Sequence, residues 1–268
     1  TAIIQNLNVQ KAFEAPLYGD FAGGAINITT KDYPTEPLLQ VRMGFGINTQ
    51  RNGGDFYTYQ GGNADYWGFD DGTRAYPDAL RDEEFYNSRI QGQYNEFPYL
   101  FNRQTITTPI NTAFGVTAGN YIANKEKEGG FGFLISLDHR NKASYQPGIY
   151  RLVNRQNDFQ INYDVQSWQQ ETNTSALANA AYKIDNNNKI SYNFLFVNLS
   201  TDNFRETGAE TGFHFDYNSP VFTRRYTWRQ NDLMVNQIFG EHEFGNWKIR
   251  WDGSWNRATS TEPDRRQF

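Results

Sequence analysis

Hydrophobic and polar residues alternate with a period of two along four segments of the chain. The segments are 39–48 (LQVRMGFGIN), 131–140 (FGFLISLDHR), 189–198 (KISYNFLFVN) and 247–256 (WKIRWDGSWN). In the last segment Trp247, Ile249 and Trp251 fall on one side of an extended chain, and Lys248 and Arg250 fall on the other. Successive side chains of a β-strand point to opposite faces, so the pattern predicts strands with one apolar and one polar face.

Three further segments show the same alternation more weakly. They are 113–123, 175–184 and 232–244. The whole set predicts seven strands of about ten residues each, the first starting near residue 38 and the last ending near residue 258.

The connections between these strands alternate in length. Short joints rich in asparagine and glycine occur at 124–130, 185–189 and 244–248, and they predict tight hairpin turns. The links between the joints are long, roughly 25 to 65 residues. A β-sandwich has comparable loops at both ends, whereas short turns on one side and long loops on the other are typical of a membrane-spanning β-barrel.

The composition is consistent with either of these two folds. Aromatic residues make up 16% of the chain, yet only 38% of residues are apolar and the mean hydropathy is −0.77. Charged residues such as Arg42, Arg250 and Asp252 lie mid-strand, opposite the apolar faces. A wet barrel lumen tolerates such charges, with Trp247 and Tyr121 expected in an interfacial aromatic girdle. The pattern therefore favours the barrel over a soluble sandwich.

Several kinds of chemistry are not supported by the sequence. The net charge of −5 gives no phosphate-binding surface, so no nucleic-acid partner is expected. The chain has no cysteine and three histidines, and His242 would point away from both neighbouring glutamates on a strand, so no metal site is expected. No nucleophile–base, zinc-protease or phosphate-loop motif occurs, so we expect neither enzymatic activity nor a cofactor.

The stretch 19–34, GDFAGGAINITTKDYP, joins a corner of small residues to a short strand pattern. It resembles the end of the plug domain in TonB-dependent outer-membrane receptors, where a glycine-rich corner precedes a last plug strand ending in Thr-Lys. The residues expected at this plug–barrel junction are Gly19, Asp20, Phe21, Gly23, Gly24, Asn27, Thr30 and Lys31. Segments 67–77 and 262–268 are similar to segments common in such receptors from Bacteroidota-type bacteria.

The resemblance implies a fold and a domain division. Residues 1–36 would be the C-terminal end of a plug domain, and 37–268 the N-terminal part of a transmembrane antiparallel β-barrel, with about seven strands and long extracellular loops. Seven strands would leave two open edges, which lipid does not permit. Because plugged transporters have about 22 strands, we expect the chain to be an internal part of a larger barrel.

The resemblance also implies a function and a location. The protein would import a scarce nutrient across the outer membrane of a Gram-negative bacterium; an iron chelate, a cobalamin-like molecule, an oligosaccharide and a peptide all stay open. Its partners would be TonB with its inner-membrane energising complex, the lipid bilayer and lipopolysaccharide. A surface-exposed lipoprotein over the barrel is a further partner that the resemblance allows.

Candidate ligand contacts lie in the first outside loop, residues 53–78. They are Tyr57, Tyr59, Tyr66, Trp67, Asp70, Asp71 and Arg74. Aromatic faces stack on sugar or chelate rings, while carboxylates and arginine hold polar groups. The alternative is that these residues only pack the loop against its neighbours. Asp70 and Asp71 followed by Gly72 could also ligate calcium, although an ordinary Asp-Gly turn explains them as well.

Two other classes of function stay open from the sequence. A receptor-like barrel could act as a structural scaffold or assembly component of an outer-membrane complex. A soluble carbohydrate-binding β-sandwich would instead bury its apolar strand faces and fold in water.

Overall fold

The computed structural model of the chain describes residues 4–12, 25–30, 33–48, 53–75, 103–124, 128–156, 159–209 and 221–267. Nearly all of them form antiparallel strands, so the predicted all-β class is confirmed. The strands are β1 (Ile4–Gln10), β2 (Ala25–Thr30), β3 (Leu38–Gly46), β4 (Asp55–Thr58), β5 (Gln104–Thr107), β6 (Asn111–Asn124), β7 (Gly129–Val153), β8 (Phe159–Lys183), β9 (Asn188–Ala209), β10 (Val221–Phe244) and β11 (Trp247–Gln267). A 3-10 turn covers Asp65–Trp67. No helix in these ranges is long and apolar enough to cross a membrane.

The main sheet contains seven strands in the order β11-β10-β9-β8-β7-β6-β3. All neighbours are antiparallel. The strands therefore lie side by side in the same order as in the chain. Two separate two-stranded sheets, β1–β2 and β4–β5, complete the described part.

Two tight turns lie at one end of the main sheet, between β8 and β9 and between β10 and β11, and the paired ends of β6 and β7, Asn124 and Gly129, lie at the same end. The shorter is the two-residue turn Gly245-Asn246, in which Gly245 has φ 58°. A left-handed φ suits the turn types that match the twist of a hairpin, and glycine adopts it without strain. The turns lie where the short joints of the sequence predict them.

The long strands differ from the expectation of about ten residues. Strands β7 to β11 have 21 to 25 residues, so that much of each predicted long link is strand. The added part is polar with widely spaced aromatic residues, for example Trp168, Phe204 and Tyr226, which are neighbours in register. Each of these strand ends is extended because its neighbour is also long and satisfies its backbone N–H and C=O groups.

The apolar face of the main sheet is exposed and the polar face contains buried residues, which is the reverse of the pattern in a soluble protein. Residues paired in register share a face, so Val41, Val116 and Leu137 lie together and are all exposed. On the same face Met43 and Phe45 are each 77% exposed. We call this surface the apolar belt. The opposite, polar face contains the buried residues Thr117, Ser136, Asn179 and Ser191.

One predicted girdle residue lies on the wrong face. Tyr121 is paired with Gly132 on the polar face and stacks on Tyr33, with 5.0 Å between the ring centroids. The prediction failed because strand parity, and not closeness to a turn, decides the face. Trp247 does lie on the apolar face with Ile249 and is 75% exposed.

The predicted junction is only partly within the described residues. Asn27 and Thr30 lie in β2, where they pair with Asn8 and Ile4 of β1. The remaining junction residues lie outside the described ranges; they are Gly19, Asp20, Phe21, Gly23, Gly24 and Lys31.

Candidate functional site

Residues 53–75 form a docked loop on the main sheet, beyond the apolar belt and on the same face. Strand β4 of this loop pairs with β5. Phe56 and Tyr59 then pack against Trp168, Phe204 and Tyr226 in one buried aromatic cluster. The Tyr59 and Tyr226 ring centroids are 4.9 Å apart. The three aromatic residues of the long strands therefore form the surface on which the loop packs.

Arg74 is the charged anchor of the docked loop. Its side chain is fully buried, its two terminal nitrogens donate to the Asp65 carboxylate at 2.7 and 2.5 Å, and the guanidinium lies 4.1 Å from the Trp228 ring centroid. Burial by itself lowers the pKa of Arg74, but the hydrogen bonds that it donates to Asp65, together with the nearby Tyr59 and Asp65 charges, outweigh this effect, and the net direction is upward. Arg74 is therefore a permanent buried cation that is held mainly by the Asp65 carboxylate and the Trp228 ring.

Asp70 and Asp71 have different roles in the loop. The Asp70 backbone N–H donates to Gln230 at 2.9 Å, and its Oδ1 lies 3.7 Å from Arg74. The exposed Asp71 carboxylate accepts from the backbone N–H of Asn63 at 2.8 Å and from the Thr73 hydroxyl at 2.6 Å. These bonds lower the pKa of Asp71 to about 2, the Thr73 hydroxyl most strongly. Within the described residues no three acidic or histidine side chains converge on one point.

Tyr66 and Trp67 are the exposed aromatic residues of the loop. They are 45% and 49% exposed, and both rings lie near the buried His139, at centroid distances of 5.3 and 5.0 Å. Trp67 also contacts Phe114 edge-on. Phe114 is the register partner of Met43, so Tyr66 and Trp67 lie at the rim of the apolar belt.

Gly68 lets the loop approach the sheet closely at this point. Its φ is 85°, and a Cβ there would lie 2.6 Å from Asn198 Oδ1 and 2.9 Å from Ser200 Oγ. Both conditions favour glycine, because other residues rarely adopt this φ and none would fit. The close approach at Gly68 thus sets the distance of Trp67 and Arg74 from the sheet.

The seven predicted contact residues fall into two groups. Tyr57, Tyr59 and Arg74 face the sheet, with Tyr57 between Arg103 at 4.0 Å and Trp168 at 4.6 Å; Asp70 is half-buried beside Arg74. Tyr66, Trp67 and Asp71 are exposed. Sequence reasoning missed their partners on the later strands, which are Trp168, Phe204, Tyr226 and Trp228. Among these four residues, only Tyr226 and Trp228 carry a local signal, since a spacing of two puts both on one face of a strand.

Asp202 lies beside Trp228 in register, under the loop anchor. Burial raises the pKa of Asp202 to about 7, although Arg74 lowers it in part. A raised pKa means that the docked state prefers the protonated acid. The stabilisation of the docked loop by protonated Asp202 is fully present below the ordinary aspartate pKa near 4 and is lost as pH rises through about 7.

We therefore expect Asp202→Asn to remove a pH dependence of loop docking. In the unmodified protein, the open population of the loop should increase about tenfold from about pH 4 to pH 8. A tenfold change is the equivalent of one pKa unit between the docked and the open loop. The difference is no larger because Asp202 keeps part of its burial when the loop opens. Hydrogen exchange of amides in 53–75 measures this, and the ratio of the two proteins cancels the intrinsic effect of pH on exchange. A constant ratio across this range would show that Asp202 is not coupled to the loop.

No protein-family model matches the chain, and neither a curated protein nor a solved structure matches it. Function is therefore inferred from the residues and their geometry. The two features that bear on function are the exposed apolar belt and the docked loop at its rim.

Proposed function

We propose that the chain is part of the wall of a plugged outer-membrane β-barrel of the TonB-dependent receptor class, and that this receptor imports a scarce nutrient. The observation that carries the proposal is the exposed apolar belt. A soluble sandwich would cover such a face with a second sheet, whereas Met43 and Phe45 are each 77% exposed. In lipid these side chains would be in their preferred environment.

The height of the belt fits a bilayer. Phe45 is paired with Thr112, and the exposed Ile122 lies on the same face ten residues further along β6 (112 to 122). At about 3.3 Å per residue this is roughly 33 Å along the strand. For a strand tilted by about 45° it corresponds to roughly 23 Å across the membrane, close to the hydrocarbon height of about 25 Å that membrane barrels present.

Aromatic residues border the belt at both ends. Tyr66 and Trp67 of the docked loop lie at one rim, and Phe244 and Trp247 flank the tight turn at the other, with exposures of 55% and 75%. Amphipathic rings favour the headgroup region on each side of a bilayer. This position makes Tyr66 and Trp67 better suited to contact lipid and lipopolysaccharide than cargo.

The chain enters the sheet along its polar face, as expected if a plug lies inside the barrel. Tyr33 and Pro34 are the last residues of the stretch 19–34 and lie over Gly132 and Gly119 of the polar face. A Cβ on Gly119 would lie 2.9 Å from the Pro34 ring, so the small residues make room for the incoming chain. The polar face would then line the lumen.

Active import requires an energy source on the other side of the cell wall, because the outer membrane has no ATP. On this proposal TonB and its inner-membrane complex supply that energy through the plug, and a surface-exposed lipoprotein is a further proposed partner. The cargo classes are those of the resemblance: an iron chelate, a cobalamin-like molecule, an oligosaccharide or a peptide.

The proposal is tested in cells that produce the full-length protein. We expect it in the outer-membrane fraction and expect accumulation of one labelled cargo class to depend on both the protein and TonB. Outer-membrane location with uptake that is unchanged without TonB would favour the scaffold function. Recovery as a soluble, monomeric protein would instead favour the sandwich.

A further inference from the structure

The polar face contains a cavity of about 400 Å³ between β3, β6, β7 and β8. Two adjacent rows of the sheet line it. Arg42, Gly115, Asp138 and Ser175 form one row, and Gly44, Ala113, Arg140 and Asn173 form the other. Glycine and alanine leave the strands between the charged residues bare, so the cavity has a flat floor and charged sides.

One side of the cavity is a fixed ion pair. Arg42 Nη2 donates to Asp138 Oδ1 at 2.7 Å, and the Ser136 hydroxyl donates to the other carboxylate oxygen at 3.1 Å. Ser136 is itself hydrogen-bonded to the buried Thr117 at 2.8 Å. A Cβ on Gly115 would lie 3.1 Å from Arg42 Nη2 and even closer to Asp138 Oδ1, so only glycine lets the pair lie flat here. The charges of Arg42 and Asp138 compensate each other.

The other side of the cavity holds an uncompensated cation. Arg140 is exposed, and among the described residues no acidic side chain forms an ion pair with it. Asn173 is its register partner and Ser175 lies two residues further along β8. A guanidinium presents a planar fork of donors that matches carboxylate and phosphate oxygens, while amide and hydroxyl groups bind neighbouring hydroxyls.

We infer that this cavity is a binding subsite for an oxyanion, a carboxylate or a phosphate group, on a hydroxyl-bearing cargo molecule. Arg140 binds the oxyanion, and Asn173 and Ser175 bind adjacent hydroxyls. The aromatic residues nearest in sequence, Phe114 and His139, lie on the opposite face, so ring stacking does not contribute. This inference rests on the proposed function, which places the polar face in the lumen where cargo passes.

The test is a calorimetric titration of the full-length protein with gluconate, with inorganic phosphate and with glucose as the neutral control. We expect gluconate to bind at millimolar concentration and glucose not to bind. Arg140→Ala should weaken gluconate binding roughly tenfold to hundredfold, the range of one hydrogen-bonded charge. Arg140→Lys should recover part of it. The matched control is Arg151→Ala on the same strand, whose side chain contacts Asn162 outside the cavity; it should bind as the unmodified protein does.

Each alternative outcome has a separate meaning. Binding of phosphate but not gluconate would overturn the cargo subsite and leave a site for the free ion only. No binding of either anion, or equal binding by the Arg140→Ala variant, would overturn the oxyanion site altogether. Fractionation of the cells that produce the full-length protein tests the proposed function independently. If the protein is found in the outer membrane but binds neither anion, only this inference is refuted.

Discussion

Replacing Arg74 by alanine is expected to release the docked loop from the sheet. The substitution leaves the Asp65 carboxylate without its bidentate partner and opens a gap over the Trp228 ring. Breaking a buried ion pair from one side costs roughly 3–5 kcal/mol, so opening of residues 53–75 should become more frequent by a factor of more than about one hundred. Hydrogen exchange across the loop in the full-length protein measures this change.

Arg103 provides a matched control for Arg74. It also lies over an aromatic ring of the loop, that of Tyr57 at 4.0 Å, but its side chain is 39% exposed and its distance to Glu206 is 3.4 Å. An exposed pair contributes roughly 0–1 kcal/mol, so Arg103→Ala should change loop exchange little. Similar effects of the two substitutions would show that aromatic packing, and not the buried charge, holds the loop.

Arginine at position 238 should destabilise the protein strongly in a bilayer, whereas arginine at position 237 should not. Ile238 is on the apolar face, 42% exposed, between Tyr192 and Gly253 in register. A lipid-facing arginine near the middle of a membrane barrel costs roughly 2–4 kcal/mol. Gln237 is its neighbour on the polar face, beside Asn193, whose buried Oδ1 lacks a hydrogen-bond partner in the described structure.

The two arginine variants form a pair that differs only in the face of the strand. Urea titration of the full-length protein in phospholipid vesicles should show a lower midpoint for Ile238→Arg and an unchanged or higher midpoint for Gln237→Arg. Equal midpoints would mean that the apolar face is not in contact with lipid. The comparison holds the introduced residue and the strand constant at adjacent positions, so the face of the strand is the main variable.

The strands of the main sheet were predictable because one face had to be apolar. The strong alternation in 131–140 and 247–256 reports the environment of each face directly, and those segments lie within β7 and β11. The turns were predictable for a local reason, since Gly245 supplies a left-handed φ that the two-residue connection requires.

The outer halves of the strands were not predictable in the same way. There the residues on both faces are mostly polar, and strand structure comes from pairing with a long neighbour. Trp168 and Tyr226 are far apart in sequence and belong together only through the register that places Phe204 between them. No local pattern encodes that register.

The candidate site shows the same division. Arg74 and Asp70 could be picked out as chemically active residues, but the partners that decide their role come from other segments. Trp228 follows Arg74 by more than 150 positions (74 to 228), and no spacing rule connects them. Sequence alone therefore indicated which residues of the loop matter, while the structure shows that Arg74 anchors the loop and that Asp71 closes a turn.

The strand order of the main sheet has a consequence for how the protein folds. Because spatial order equals chain order, each strand after β6 can add to its predecessor as a hairpin, and most pairings form between residues that are close in sequence. Within the main sheet, only the β3–β6 pairing must close a long loop, residues 47–110. Loop closure costs about 0.6 kcal/mol for each doubling of length, so this 64-residue link (47 to 110) costs roughly 2.4 kcal/mol more than a four-residue one. Docking of residues 53–75 onto β8–β10 offsets that cost, and it can do so only after those later strands have formed. Strand β3 is thus expected to be fixed in the sheet last, when residues 53–75 dock onto the later strands.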